Sequence, residues 1–221
     1  SIVSIFGAVR GIGRTMYAAN LALSLRKETR KEVILVDISK SANEVCLTLG
    51  LGANLTNCPR LKLDTPFLED SFIKAAILKE PSSGINILNI SHESASSAYA
   101  SNLNAILTQL TSDYRYVIVD LPTLMDEVVF EALKQSDIIN IITDYNIDNL
   151  TQTNALISQL FEKVNYPQEK IKVIINERKE TKPLTHQEVS KFLNYNIYAT
   201  LPVFWEADNL DKRAGKVAWD E

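Results

Sequence analysis

Seven short runs of apolar, mostly β-branched residues recur along the chain. Between them lie longer stretches in which apolar residues follow helical spacing. The apolar runs are residues 2–6, 33–36, 85–88, 116–119, 138–142, 171–175 and 197–201. Near-continuous apolar runs of this length indicate strands that are buried on both faces.

Helical spacing is found in the stretches 15–26, 68–79, 97–110, 127–134, 150–164 and 187–193. Thr185, followed three residues later by Glu188, predicts a capping box at the start of the last helix. Strands that alternate with helices predict an α/β fold with a mainly parallel, seven-stranded sheet and helices on both faces. No linker interrupts the pattern, so we expect residues 1–221 to form a single domain.

Composition narrows the possible functions. The formal net charge is −4, which does not favour a dedicated nucleic-acid binder. Cys46 and Cys58 offer neither a disulfide framework nor metal-ligand spacing, and we expect two reduced thiols in a cytoplasmic protein. No apolar run approaches the length of a membrane span. Because the chain begins directly on an apolar run, we also expect it to be the C-terminal part of a longer protein.

The loop over residues 7–15 follows the first strand and opens the first helix. At such a position, backbone N–H groups and the helix dipole favour bound phosphate. Gly13 and Thr15 fit the P-loop pattern G-x-x-x-x-G-K-S/T, whereas Ala8 replaces the first glycine and Arg14 replaces the lysine. A glycine-rich turn used only for close packing is the alternative interpretation. The residues expected to surround phosphate are Ala8, Arg10, Gly11, Ile12, Gly13, Arg14, Thr15 and Met16.

Two further strands end in a carboxylate. Asp37 follows the apolar residues 33–36, and Asp120 follows residues 116–119. Carboxyl ends of parallel strands share one edge of the sheet, where ligands of such folds bind. We therefore expect Thr15, Asp37 and Asp120 to hold Mg²⁺ beside a bound nucleotide.

These segments resemble the MinD/ParA class of P-loop ATPases along essentially the whole chain. Residues 9–15 align without gaps with the class loop K-G-G-V-G-K-T, and residues 36–39 are similar to V-D-x-D. Other matching segments are 20–22 (N-L-A), 175–178 (V-x-N-R) and 201–202 with 214–216 (I-P…A-x-x-G-K). The resemblance implies ATP and Mg²⁺ as cofactors and a homodimer that encloses the nucleotide. It also implies that Asn176, Arg178 and Pro202 border the adenine.

One segment is similar to a subgroup of that class. Residues 59–68 resemble the R-L-D-x-x-x-L segment of CpaE/TadZ pilus-assembly proteins, as does the stretch 120–122. This resemblance implies partners in the Flp/Tad type IV pilus secretion machinery and a location at the cell pole. It also implies a receiver-like domain ahead of Ser1.

Three class positions are altered. Val9 stands where the signature lysine is expected, Arg14 where the Walker lysine is expected, and Ser39 where the second aspartate of V-D-x-D is expected. Loss of a transition-state cation costs about 10³-fold or more in rate, and loss of a general base about 10²-fold or more. We therefore expect nucleotide binding with weak or lost hydrolysis, in which Asp37 and Arg14 are the remaining catalytic candidates. Arg10 is a candidate replacement for the missing lysine.

Two other functions fit the same residues. One is a slow ATPase that positions DNA or another cargo, and the other is a scaffold that has lost the nucleotide. Because residues 217–221 are short and acidic, we expect no basic amphipathic membrane anchor in this chain. His92 and His186 have no metal-ligand spacing around them, and we expect them at the surface or at helix caps.

Overall fold

A computed structural model describes residues 1–39, 44–51, 58–64, 69–92, 97–178 and 184–202, without the side chains of residues 163 and 164. The segments 65–68, 214–216 and 217–221, to which the sequence assigned motifs, lie outside these residues. Among the described helices, none is both long enough and apolar enough to cross a membrane.

Nine strands of the described chain form one sheet, two more than the sequence predicted. The strands are β1 (Ile2–Phe6), β2 (Val33–Ser39), β3 (Arg60–Lys62), β4 (Ile77–Lys79), β5 (Asn86–Ser91), β6 (Tyr116–Asp120), β7 (Ile138–Thr143), β8 (Ile171–Asn176) and β9 (Ile197–Leu201). Their order is β3-β5-β2-β6-β1-β7-β8-β9, and β4 pairs with β5. All pairs are parallel except β4 with β5, so the mainly parallel sheet is confirmed.

Helices cover both faces of the sheet, as predicted. They are α1 (Arg14–Thr29), α2 (Glu44–Thr48), α3 (Asp70–Ala76), α4 (Ser97–Asp113), α5 (Glu127–Gln135), α6 (Ile147–Gln159) and α7 (His186–Leu193). A π-helical segment, Leu160–Val164, extends α6, and a 3-10 turn, Gln168–Lys170, precedes β8. The predicted capping box of Thr185 and Glu188 is present at α7.

The predicted helix 68–79 is wrong at its end. Helix α3 stops at Ala76, and Ile77 takes an extended conformation with φ −79° and ψ 122°. Residues 77–79 then form β4, antiparallel to the first half of β5, and β3 pairs with the second half of the same edge. The backbone groups of this segment gain partners in the sheet, which outweighs the helical spacing of its side chains.

Two apolar layers enclose the sheet. One contains residues of α1 and α2 with Ile5, Leu35 and Ile118, and the other contains residues of α4 to α7 with Val36 and Val119. Successive side chains of a strand point to opposite faces. Asp37 follows Leu35 by two positions, and Asp120 follows Ile118 by two positions. Both carboxylates therefore lie on the face that α1 and α2 cover.

Candidate functional site

The loop between β1 and α1 closes with two left-handed glycines. Gly11 has φ +74° and Gly13 has φ +86°, values that side chains other than glycine rarely adopt. Gly13 is the N-cap of α1 and brings no capping side chain, and the first backbone hydrogen bond runs from the Tyr17 N–H to the Gly13 carbonyl at 2.9 Å. The N–H groups before Tyr17 have no partner inside the helix, which makes this end of α1 a site for an anion.

Close packing fixes the other end of the loop. A Cβ atom at Gly7 would meet the Ile12 Cδ1 atom and the Ile142 carbonyl oxygen at 2.9 Å each. Position 7 therefore requires glycine, one residue before Ala8, where the P-loop pattern puts its first glycine. The Ile12 side chain is buried, and its carbonyl accepts a hydrogen bond of 2.9 Å from Asn176 Nδ2 at the end of β8.

Three predicted site residues meet at the start of α1. The Thr15 hydroxyl donates to Asp120 Oδ2 at 2.6 Å. The Arg14 side chain runs back over Gly7, since its Cδ atom lies 3.5 Å from a Cβ built there. Arg14 Nε then lies 3.5 Å from Asp120 Oδ1. Arg14 thus places its positive charge inside the loop, where the class pattern has a lysine.

Asp37 and Asp120 form the acidic part of the site. They are partners in the parallel pairing of β2 and β6 and are 2% and 4% exposed. Burial raises the pKa of Asp37 to about 7, and the charge of Asp120 adds to this rise. Burial also raises the pKa of Asp120 to about 6, against the lowering effect of Arg14 and Thr15. Two carboxyl groups in this state favour a nearby cation.

Helix α2 supplies residues that the sequence did not identify. Its Val45 N–H donates to Asp37 Oδ2 at 3.3 Å, and Glu44 Oε2 lies 3.4 Å from the Thr15 hydroxyl oxygen. The helix has five residues, too few for a periodic signal in the sequence. The sequence therefore did not predict Glu44 as a site residue, although it is a third carboxylate beside the Thr15 hydroxyl.

Ser39 and Arg60 continue the polar surface beyond Asp37. A hydrogen bond from Ser39 to Asp37 lowers the pKa of Asp37 and partly opposes burial. Arg60 on β3 donates to the Ser39 carbonyl at 2.6 Å. In the sequence, Arg60 is only one position of the motif 59–68, because the place of β3 in the sheet could not be read from the chain.

The residues expected at the adenine lie apart from the acidic group. Arg178 and Pro202 follow β8 and β9 and are separated from β1 by β7. Arg178 Nη1 lies 3.8 Å from Asp144 Oδ2, and its side chain is 44% exposed. Asn176 is buried, and its side-chain amide donates a hydrogen bond to the Ile12 carbonyl of the loop. In the loop itself, Arg10 is exposed, and Ala8 and Met16 are half-buried.

The arrangement fits Mg²⁺ with nucleotide. No group of three or more His, Cys, Asp and Glu side chains within the described ranges has the geometry of an all-protein metal cage. Mg²⁺ is commonly held by one or two carboxylates, a hydroxyl and waters. Asp120 Oδ1 is buried and has no hydrogen-bond partner among the described residues. A cation bound by Thr15 and Asp120 would share that oxygen with Arg14 Nε, which lies 3.5 Å from it.

His92 corrects one expectation. It is 1% exposed, so it does not lie at the surface, and its Nε2 atom lies 2.7 Å from Asp126 Oδ2. Asp126 is also the N-cap of α5, where its Oδ1 accepts from the Val129 N–H at 3.1 Å. This pair ties the end of β5 to the start of α5. His186 is exposed at the start of α7, as expected.

A family model described as an AAA domain matches residues 1–177. Comparison with curated protein sequences gives no match.

Solved structures share the fold over nearly the whole chain. A ParA family ATPase from Chlorobium tepidum TLS superimposes with a TM-score of 0.77 at 22% identity, covering 97% of this chain and 89% of its own. The MinC:MinD cell division protein complex of Aquifex aeolicus gives 0.75 at 19% identity, covering 98% and 86%. A putative plasmid partition protein from Borrelia burgdorferi B31 bound to AMPPNP gives 0.72 at 18% identity, covering 100% and 92%. The sheet and its helices thus have the architecture of ParA/MinD P-loop ATPases.

Proposed function

Because the chain belongs to the AAA-domain family and has the ParA/MinD architecture, we propose that it binds ATP with Mg²⁺ in the loop 7–15. The observation that carries this proposal is the contact between the Thr15 hydroxyl and Asp120 beneath a glycine loop at the start of α1. A hydroxyl and a buried carboxylate at this place are the groups that hold the metal of a nucleotide in P-loop proteins.

Each residue has a defined task in this proposal. The backbone N–H groups of residues 11–16 and the Arg14 guanidinium would bind phosphate oxygens. Thr15 and Asp120 would hold the metal, and Asp37 would hold its waters. Bound Mg²⁺ neutralises phosphate charge, which is the chemistry that it supplies in such sites. Arg178, Pro202 and the end of β8 would border the base.

Hydrolysis is weak or lost in the proposed function. Val9 carries no charge, and Ser39 cannot remove a proton from water at neutral pH. The Ser39 hydroxyl is hydrogen-bonded to Asp37, and its carbonyl accepts from Arg60. Both contacts support Ser39 as a structural residue and not as a base.

Calorimetry with ATP, with and without Mg²⁺, tests the binding. We expect Mg²⁺ to tighten binding and single-turnover assays to show hydrolysis far below the ~10 s⁻¹ that is typical of enzymes. A chain that binds no ATP in the presence of Mg²⁺ would be a scaffold without nucleotide. Turnover near the typical value would contradict the loss of hydrolysis.

The biological role that we propose is localisation or assembly of a Flp/Tad type IV pilus secretion system by a nucleotide-dependent dimer. Support comes from the likeness of residues 59–68 to CpaE/TadZ proteins. Within this segment, Arg60 and Leu61 lie in β3. Light scattering with AMPPNP, ADP or no nucleotide tests the dimer, which we expect with AMPPNP alone. A fluorescent fusion that is evenly spread in cells with this pilus system would contradict the polar role.

A cargo-positioning ATPase is the second candidate. It is favoured by the shared fold with the ParA family ATPase and the plasmid partition protein. Hydrolysis that increases on addition of DNA would favour this function over the pilus role.

A further inference from the structure

Four polar side chains form one row across the sheet, level with the carboxyl end of β6. Asp120 is in register with Asp37, Asp37 with Asn89, and Asn89 with Arg60, across the parallel strands β6, β2, β5 and β3. Paired residues of parallel strands point to the same face. Arg60 is therefore the far end of the row that begins at the proposed metal site.

The Arg60 side chain turns back along this row toward β2. Its Nη2 atom donates to the Ser39 carbonyl at 2.6 Å and lies 3.4 Å from Ser39 Oγ. Ser39 in turn hydrogen-bonds to Asp37. A continuous polar connection thus runs from the guanidinium through Ser39 to the acidic pair.

The Arg60 guanidinium has N–H donors that the contacts with Ser39 do not use. Arg60 Nε is buried and has no acceptor within the described part of the chain, and none of the ion pairs found there includes Arg60. A buried charged donor without an acceptor is costly. This favours an acceptor that arrives with a ligand.

Residue 39 decides the charge at this place. A carboxylate at position 39, as in the V-D-x-D pattern, would lie against the Arg60 guanidinium and neutralise it. Ser39 leaves the guanidinium as a cation beside the strand end. With phosphate in the loop 7–15 and the metal at Thr15 and Asp120, as proposed above, the terminal phosphate is the part of ATP that would bring negative charge to this side of the sheet.

We propose that Arg60 contacts the terminal phosphate of bound ATP and makes the site prefer a triphosphate to a diphosphate. This inference rests on the proposed function, since it requires nucleotide in the loop 7–15. Arg60 is a specificity-determining residue in this account. A guanidinium is suited to it because its planar fork can keep the bonds to Ser39 and still donate to a phosphate oxygen.

The test compares Arg60→Gln with the wild-type chain and with Lys62→Gln, which removes an exposed cation from the same strand. Calorimetry gives the Kd of Mg²⁺·AMPPNP and of Mg²⁺·ADP for each protein. Since hydrogen bonds to charged groups are stronger than neutral ones, we expect Arg60→Gln to weaken AMPPNP binding about tenfold or more. ADP binding should stay within about twofold, and Lys62→Gln should change neither by more than about twofold.

Equal weakening of both nucleotides by Arg60→Gln, or no weakening of either, overturns the inference and leaves ATP binding intact. A wild-type chain that binds neither nucleotide overturns the proposed function as well. Labelling of the wild-type chain with phenylglyoxal gives the answer without a variant. Mg²⁺·AMPPNP should slow the labelling of Arg60 several-fold compared with Mg²⁺·ADP, while exposed Arg115, at the amino end of β6, stays unchanged. Equal labelling of Arg60 in both states contradicts the inference.

Discussion

Asp37 and Asp120 lie directly opposite each other on adjacent parallel strands, with both carboxyl groups buried. Burial is the main cause that raises their pKa values to about 7 and about 6, and the charge of Asp120 raises that of Asp37 further. Neighbouring carboxylates repel each other when both are ionised. Asp37 therefore keeps part of its proton near neutral pH, whereas the Arg14 guanidinium beside Asp120 favours the ionised form of that carboxyl.

The first prediction concerns pH. Both pKa values are raised above the unfolded value, so the folded chain binds more protons and its free energy of unfolding falls as pH rises from about 4 to 7. Mg²⁺ opposes this fall because it takes the place of the protons. We expect Mg²⁺ to raise the melting temperature more at about pH 8 than at about pH 5. Asp37→Asn should flatten this dependence, and an equal effect of Mg²⁺ at both pH values would contradict the metal site.

The second prediction concerns the Thr15 hydroxyl. Thr15→Ala removes a group placed 2.6 Å from Asp120 and, in the proposed site, a ligand of Mg²⁺. We expect ATP affinity to fall about tenfold with Mg²⁺ present and to change little in EDTA. Calorimetry measures both values. Ser24→Ala on the same helix is the matched control, and an equal loss in EDTA would show that the hydroxyl does not act through a metal.

The third prediction concerns hydrolysis. The double variant Val9→Lys with Ser39→Asp restores the charge and the base that the class pattern contains. We expect the single-turnover rate to rise on the order of 10²-fold. Ser39→Asp alone should gain less, because it leaves position 9 without a positive charge. Phosphate release is the measurement, and an unchanged rate in the double variant would show that other parts of the site prevent hydrolysis.

The fourth prediction concerns the pair of His92 and Asp126. Asp126→Ala removes the cap of α5 and leaves a buried imidazole without its carboxylate. A lost cap and an unpaired buried group together cost about 2 kcal/mol or more, which lowers the melting temperature by ~5 °C in a chain of this size. Glu127→Ala, one residue on and exposed, is the control. Equal melting curves for the two variants would assign the pair no structural role.

The longer elements of the fold follow from local patterns. All seven predicted strands are present because buried parallel strands are near-continuous apolar runs, as in β1 and β6. Strands β3 and β4 and helix α2 were missed because three to five residues carry no readable period. Residues 77–79 are extended because they pair with the edge of β5, and this pairing cannot be predicted from the local sequence.

From the sequence, only those site residues could be predicted that lie at strand ends or in the loop motif. Thr15, Arg14, Asp37 and Asp120 come together because each closes or opens an element at the carboxyl edge. Glu44 joins them through α2. Such contacts depend on the order of strands in the sheet and on a short helix, neither of which could be read from one sequence.

The hydrogen bond from Asn176 to the Ile12 carbonyl joins the end of β8 to the loop before α1. Together with the tight contacts around Gly7, it holds the loop in a fixed shape before any ligand arrives. Association then avoids most of the entropy loss that a floppy loop would suffer on ordering. Affinity for a nucleotide then depends mainly on the charged groups that face it, because the backbone of the loop 7–15 is already in its binding conformation.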